Sequence, residues 1–207
     1  MTYNFRLFFA IARRSLFNTR NSNVRLSFRR VLVLSIASPV YFCIELVTWA
    51  CFLLDRILFP AASRQEVCEP VFILGPPRCG TTLLHRMLAQ DRTRFTSLRL
   101  WELVFAPTVT QKKILRLCGR VDARLGAPFH RILTSLERRL TADFTVIHKT
   151  GLFEVEEDAL ILLHIFCSPF LVFMFPYAEE IRPYIHFDME LPEPERKRIM
   201  AFYRRCV

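Results

Sequence analysis

Residues 31–54, VLVLSIASPVYFCIELVTWACFLL, hold one charged side chain, Glu45, and any fold that accepts this run must give it an apolar place. About 20 apolar residues are enough for a helix to cross a bilayer. The run is long enough for a span, and Pro39 is tolerated in helices embedded in lipid. Glu45 and Pro39 leave two other settings open: a helix lying in the membrane interface, or one packed on the apolar surface of the chain's own domain. The whole chain is 52% apolar with 20 Phe. An ordinary soluble domain is roughly 45–50% apolar, so the composition agrees with a lipid-facing segment.

Charge is distributed to the same effect. No acidic residue precedes Glu45, whereas Arg6, Arg13, Arg14, Arg20, Arg25, Arg29 and Arg30 all do. An acid-free, arginine-rich start is drawn to anionic lipid or serves as a targeting sequence, and a transit peptide has the same character. Counted by the positive-inside rule, the arginines put the N-terminus in the cytoplasm and the rest on the far side, a Golgi-type lumenal orientation. A net charge of +10 also raises nucleic acid as a partner. The chain has no zinc-finger spacing, no RNP-type aromatic motif and no groove-reading basic helix, so nucleic acid is not expected. None of the seven cysteines forms a C-x-x-C pair. A zinc site is therefore not expected, and the irregular set reads as buried or free thiols.

The organisation follows from periodicity and breakers. Residues 1–30 form a basic amphipathic segment with a helix over 3–17, and 31–59 form the membrane-associated or transmembrane helix. Residues 60–70 read as a linker and 71–207 as the remaining domain. Within that domain, VFILG (71–75) has the pattern of a short buried parallel strand. TTLLHRMLAQ (81–90) places apolar residues at 83, 84, 87 and 88, one face of a helix. Further helices are expected over 111–121 and over 128–140, where Pro128 is suited to the first helical position. The apolar stretch 159–177 reads as a buried core helix with the acidic EVEED (154–158) at its start. A basic helix is expected from Pro192 onward.

Between the expected strand and helix lies GPPRCGTT, Gly75 to Thr82. The spacing G-x-x-x-x-G followed by two hydroxyl residues is that of a phosphate-binding loop, except that Thr81 stands where a nucleotide triphosphatase carries its lysine. The chemistry follows from backbone physics. A helix start leaves N–H groups unpaired and carries partial positive charge, so it attracts an anion. Gly80 permits close backbone approach, and the Thr81 and Thr82 hydroxyls add donors. Arg78 offers a planar fork of N–H groups matched to phosphate or sulfate oxygens.

A loop whose cation precedes its second glycine resembles the 5′-phosphosulfate loop of sulfotransferases. FILGPPRCGTTLLHRMLAQD is similar to the P-R-S-G-T-T-L-L-H-R-L-L version of the broad sulfotransferase-like family. The likeness extends through LDRILFP, LWELVFAP and EED, covering about residues 50–207. It implies a P-loop α/β fold, a parallel sheet flanked by helices, helix-rich overall and here incomplete. It further implies 3′-phosphoadenosine-5′-phosphosulfate as donor, an acceptor hydroxyl or amine, and no metal. Arg78, Cys79, Gly80, Thr81 and Thr82 match the family's 5′-phosphosulfate contacts. Cys79 departs from the usual serine, and a thiol is the weaker donor. The general base falls to Glu102, in the region where relatives carry a glutamate, or to His148. Each also has an ordinary structural reading. His85, on the loop helix, reads as a packing or phosphate-side residue.

No strand of the F-I-x-L-x-R-D-P type, which brings the 3′-phosphate site in relatives, occurs in the chain. The expectation is therefore a sulfotransferase-like domain, inactive if truncated, or a non-catalytic membrane-associated remnant. Two other uses of the loop fit worse. A kinase-like or nucleotide triphosphatase site would want a lysine at the Thr81 position and a magnesium-holding aspartate. A thiol phosphatase would want an arginine six residues after Cys79, where His85 stands.

Overall fold

A computed structural model of the chain describes residues 3–17, 27–62, 65, 67–76, 79–141, 151–175 and 178–207. They are mostly helical, and among them the only β-pairing is an antiparallel bridge between Arg99 and Val155. The described chain divides into two compact units, Met1–Ala50 with Ala159–Val207, and Cys51–Asp158.

The first unit contains α1 (Phe5–Phe17) and the larger part of α2 (Phe28–Leu58). Leu7, Ile11 and Ser15 recur at helical spacing on α1 and are buried, whereas Phe5, Phe9 and Leu16 are exposed. Asn4 pins the start of α1: its N–H donates to Ile165 O (2.9 Å) and its side chain bonds to the Tyr184 hydroxyl. Arg14 pairs with Glu180 at 2.6 Å on α8 (Ala178–Ile185). The expected helix over 159–177 is instead two elements, a 3₁₀ helix (Asp158–Ile165) and the one-turn α7 (Leu171–Met174). Pro169 explains the break, because it lacks an N–H and disfavours a helical conformation in the residue before it. That residue, Ser168, is fully buried and donates to Ala159 O (3.0 Å). The stretch is the core of the unit all the same, through Ile161, Ile165, Phe166, Cys167 and Leu171. After α9 (Phe187–Glu190), the basic C-terminal segment forms α10 (Glu193–Cys206), burying Ile199, Phe202 and Cys206 at spacings of three and four.

The second unit holds the end of α2, then α3 (Thr81–Leu88), α4 (Leu100–Phe105), α5 (Val109–Arg124) and α6 (Pro128–Thr141). Helices α5 and α6 pack as a hairpin whose turn is fixed by Asp122. Its two carboxylate oxygens accept from the N–H groups of Phe129 (2.8 Å) and His130 (3.0 Å) at the start of α6. Asp55, one residue past the apolar run, does the same for α5, accepting from Val109 N (2.8 Å), Thr110 N (2.9 Å) and the Thr110 hydroxyl (2.5 Å). The buried apolar side chains described in this unit are few: Cys51, Phe52, Leu103 and Ala106.

The stretch expected as a buried parallel strand differs. Residues 71–76 take no regular structure, and Val71, Phe72 and Leu74 are exposed, Leu74 by 89%. A parallel strand exists only through its neighbours, and no described segment pairs with this one.

Candidate functional site: the loop before α3

The described part of Gly75–Thr82 folds back on itself. The Cys79 N–H donates to Pro76 O (3.3 Å), closing a turn. Gly75 is drawn so near that a Cβ there would run into Cys79 Sγ and come within 3.1 Å of Thr81 Cγ2. Gly80 is the N-cap of α3 with φ +93°, a left-handed conformation that L side chains avoid. Its carbonyl accepts from Leu84 N (3.0 Å), the first bond of the helix. Cys79 and Gly80 are exposed, and Thr81 and Thr82 are half-buried. The described part of the loop thus leads directly into a helix start, whose first N–H groups have no acceptor within the helix. Two of the residues singled out in the sequence, Arg78 and His148, lie outside the described residues.

A salt bridge among the described residues fastens α3 to the rest of the unit. Arg86, on its last turn, lies 3.5 Å from Glu156, which is 6% exposed. Glu156 belongs to a clasp: its N–H donates to Leu98 O (3.2 Å), Leu100 N to Glu154 O (3.0 Å), and Trp101 N to Leu152 O (2.9 Å). The clasp sets the start of α4, the helix that carries Glu102. The EED residues thus serve a clasp and the start of the 3₁₀ helix rather than one helical first turn.

Glu102 is buried, with 5% of its surface exposed. One carboxylate oxygen accepts from the Arg99 N–H (3.0 Å), capping α4, and the other accepts from the Arg116 guanidinium of α5 (2.8 Å). His85 is half-buried on α3. No group of three or more His, Cys, Asp or Glu among the described residues could hold a metal ion.

The loop, α3, the clasp and Glu102 all fall inside residues 70–183, which match the sequence profile described as the sulfotransferase family. That is more than half of the 207 residues. The chain belongs to the sulfotransferase family. No curated protein and no solved structure matches it. Membership in a sulfotransferase family carries sulfuryl transfer as its general chemistry.

Three contacts of this sulfotransferase-family unit escaped the sequence reading: Arg86 with Glu156, Arg116 with Glu102, and Asp55 at the start of α5. Arg86, Glu156, Glu102 and Asp55 all sit in stretches that resemble the family, but the pairings left no trace there, because an ion pair across 14 residues and a cap across 54 depend on how helices pack.

Proposed function

We propose that the chain binds 3′-phosphoadenosine-5′-phosphosulfate through Arg78, Cys79, Gly80, Thr81 and Thr82 and passes its sulfuryl group to an acceptor hydroxyl or amine. The observation that supports this reading is the close approach of Gly75 to the Cys79 and Thr81 side chains, which a Cβ at Gly75 would obstruct, just ahead of a helix start and inside the family match. In the transfer, the acceptor heteroatom forms a bond to sulfur while the bond from sulfur to the bridging phosphate oxygen breaks. The acceptor's proton goes to a base, and 3′,5′-adenosine bisphosphate leaves. The α3 amides and the Arg78 fork stabilise charge on the phosphosulfate oxygens, an electrostatic contribution that needs no metal.

Glu102 is the first choice for the base and His148 the second. Both oxygens of Glu102 already accept a hydrogen bond, but each keeps a second lone pair. The contacts therefore orient the carboxylate without saturating it. The parallel sheet of the P-loop fold belongs to the same proposal.

A second reading has an observation of its own. Phe72 and Leu74 are exposed beside the loop, 78% and 89%, as they would be in a membrane-associated remnant that no longer turns over. Isothermal titration of 3′,5′-adenosine bisphosphate separates the two. Saturable binding that disappears in Arg78→Ala is the expected result. No heat at about millimolar ligand, a Kd weaker than roughly −4 kcal/mol of binding free energy, leaves the remnant reading. The helix α2 is long and apolar enough to cross a membrane, and we take membrane lipid as the chain's other partner.

A further inference from the structure

Helix α2 has two unlike faces. Tyr41, Glu45 and Thr48 follow at spacings of four and three and share one side. The chain itself covers that side. The Tyr41 hydroxyl donates to Leu163 O (3.0 Å), Glu45 lies 2.7 Å from His164 Nδ1 with both side chains buried, and Thr48 is fully buried. One residue on, Trp49 packs against Phe202 of α10, ring centres 6.1 Å apart. The other side is bare and apolar through Leu32, Ile36, Val40, Leu46 and Val47, Leu46 by 74%.

These contacts lie at the middle of the helix. At about 1.5 Å per residue, the 31 residues of α2 extend about 46 Å, and Glu45 stands about 26 Å from the Phe28 end. If α2 crossed a bilayer, its middle would sit at the hydrocarbon midplane, and everything touching that middle would sit there too. His164 would be at that depth, and so would the α10 turn that carries Phe202. Arg198, Arg204 and Arg205 lie within about a turn of Phe202 on α10, and ionised side chains at the midplane are strongly disfavoured. A helix lying along the surface removes the conflict. Its bare face enters the acyl region, while the covered face and α10 stay on the aqueous side.

We propose that α2 is a monotopic anchor, lying in the plane of one leaflet with both of its ends in the same aqueous compartment. The proposal rests on the membrane reading above and replaces the two-sided topology expected from the arginines. The N-terminal segment supports it: α1 exposes Phe5, Phe9 and Leu16, and the acid-free stretch with its seven arginines suits anionic headgroups.

The test uses the full chain, tagged at Met1 and at Val207, on sealed vesicles of phosphatidylcholine and phosphatidylserine. External protease should remove both tags from the same molecules, or neither. Removal of one tag with the other protected overturns the proposal, because only a span separates them. Cys68 is an independent marker, being exposed and ten residues past the end of α2. With Cys43, Cys79 and Cys118 replaced by serine, an impermeant maleimide should reach Cys68 from the side on which the Met1 tag is cleaved. A chain that does not float with the vesicles would refute the membrane reading itself, and the anchor with it.

Discussion

The close approach at Gly75 makes the donor site testable with one methyl group. Gly75→Ala would place its Cβ well inside contact distance of Cys79 Sγ and 3.1 Å from Thr81 Cγ2. Overpacking costs about 1–3 kcal/mol in a packed core, and the lower end applies here because the atom met is the end of an exposed side chain. If the cost falls on the ligand-bound turn, the Kd for 3′,5′-adenosine bisphosphate should rise about fivefold, at about 1.4 kcal/mol per tenfold. The global fold should hardly notice, because residues 71–76 are exposed and in no ladder. The urea midpoint of the variant should match that of the wild type. The clash is chiefly with one sulfur atom, so Cys79→Ala should relieve it. In the double variant, affinity should return to within about threefold of Cys79→Ala alone, the signature of a coupled contact pair. Titration calorimetry on the four proteins completes the cycle. Wild-type affinity in Gly75→Ala, or no recovery in the double variant, would refute the claim that this approach shapes the binding turn.

Asp55→Ala removes the acceptor of two α5 amides and a hydroxyl. It should lower stability by about 2 kcal/mol, in the range of a lost helix cap or charged hydrogen bond, and urea unfolding followed by helical circular dichroism measures it. Glu102→Gln keeps an oxygen for the Arg99 amide but cannot take a proton at neutral pH. Turnover of the sulfate donor over a panel of phenol, sugar and amine acceptors should fall about 10²- to 10⁴-fold while bisphosphate affinity holds, and unchanged turnover would shift the base to His148. Burial pushes the Cys167 thiol up to about 12, so its reactive thiolate is scarce below that pH and grows as pH rises towards it. At about pH 8, an alkylating reagent should modify exposed Cys68, Cys79 and Cys118 while Cys167 reacts only after unfolding, as mass spectrometry of the labelled peptides would show.

What could be read from the sequence was what neighbouring residues decide among themselves. The period of TTLLHRML marks α3 from Thr81, Pro128 opens α6, and the apolar run gives α2 nearly to its ends. Pro39 does not end that helix, which runs through it. The strand at 71–75 was not legible in the same way, because its apolar run would suit a strand only beside partners that no described segment supplies. In 159–177 the hydropathy correctly marks a core, but Pro169 divides it and the period of the first half is not that of an α-helix. Glu45 looked like an interruption in an apolar helix. Its partner His164 lies 119 residues away in sequence, and only the packed chain brings them together. The loop was read at the level of spacing and family likeness. Its turn at Gly75 and its fastening through Arg86 needed coordinates.

The hold of Asp55 on the first turn of α5 has a practical outcome for anyone trimming this protein. The carboxylate that steadies the second unit stands at the foot of α2, one position beyond Leu54. A shortened, water-soluble version cut anywhere after that point would leave two amides at the head of α5 bare and should be prone to degradation. Asp55 therefore has to stay in any trimmed version, with greasy positions such as Leu53, Leu54 and Ile57 exchanged for polar ones instead of removed.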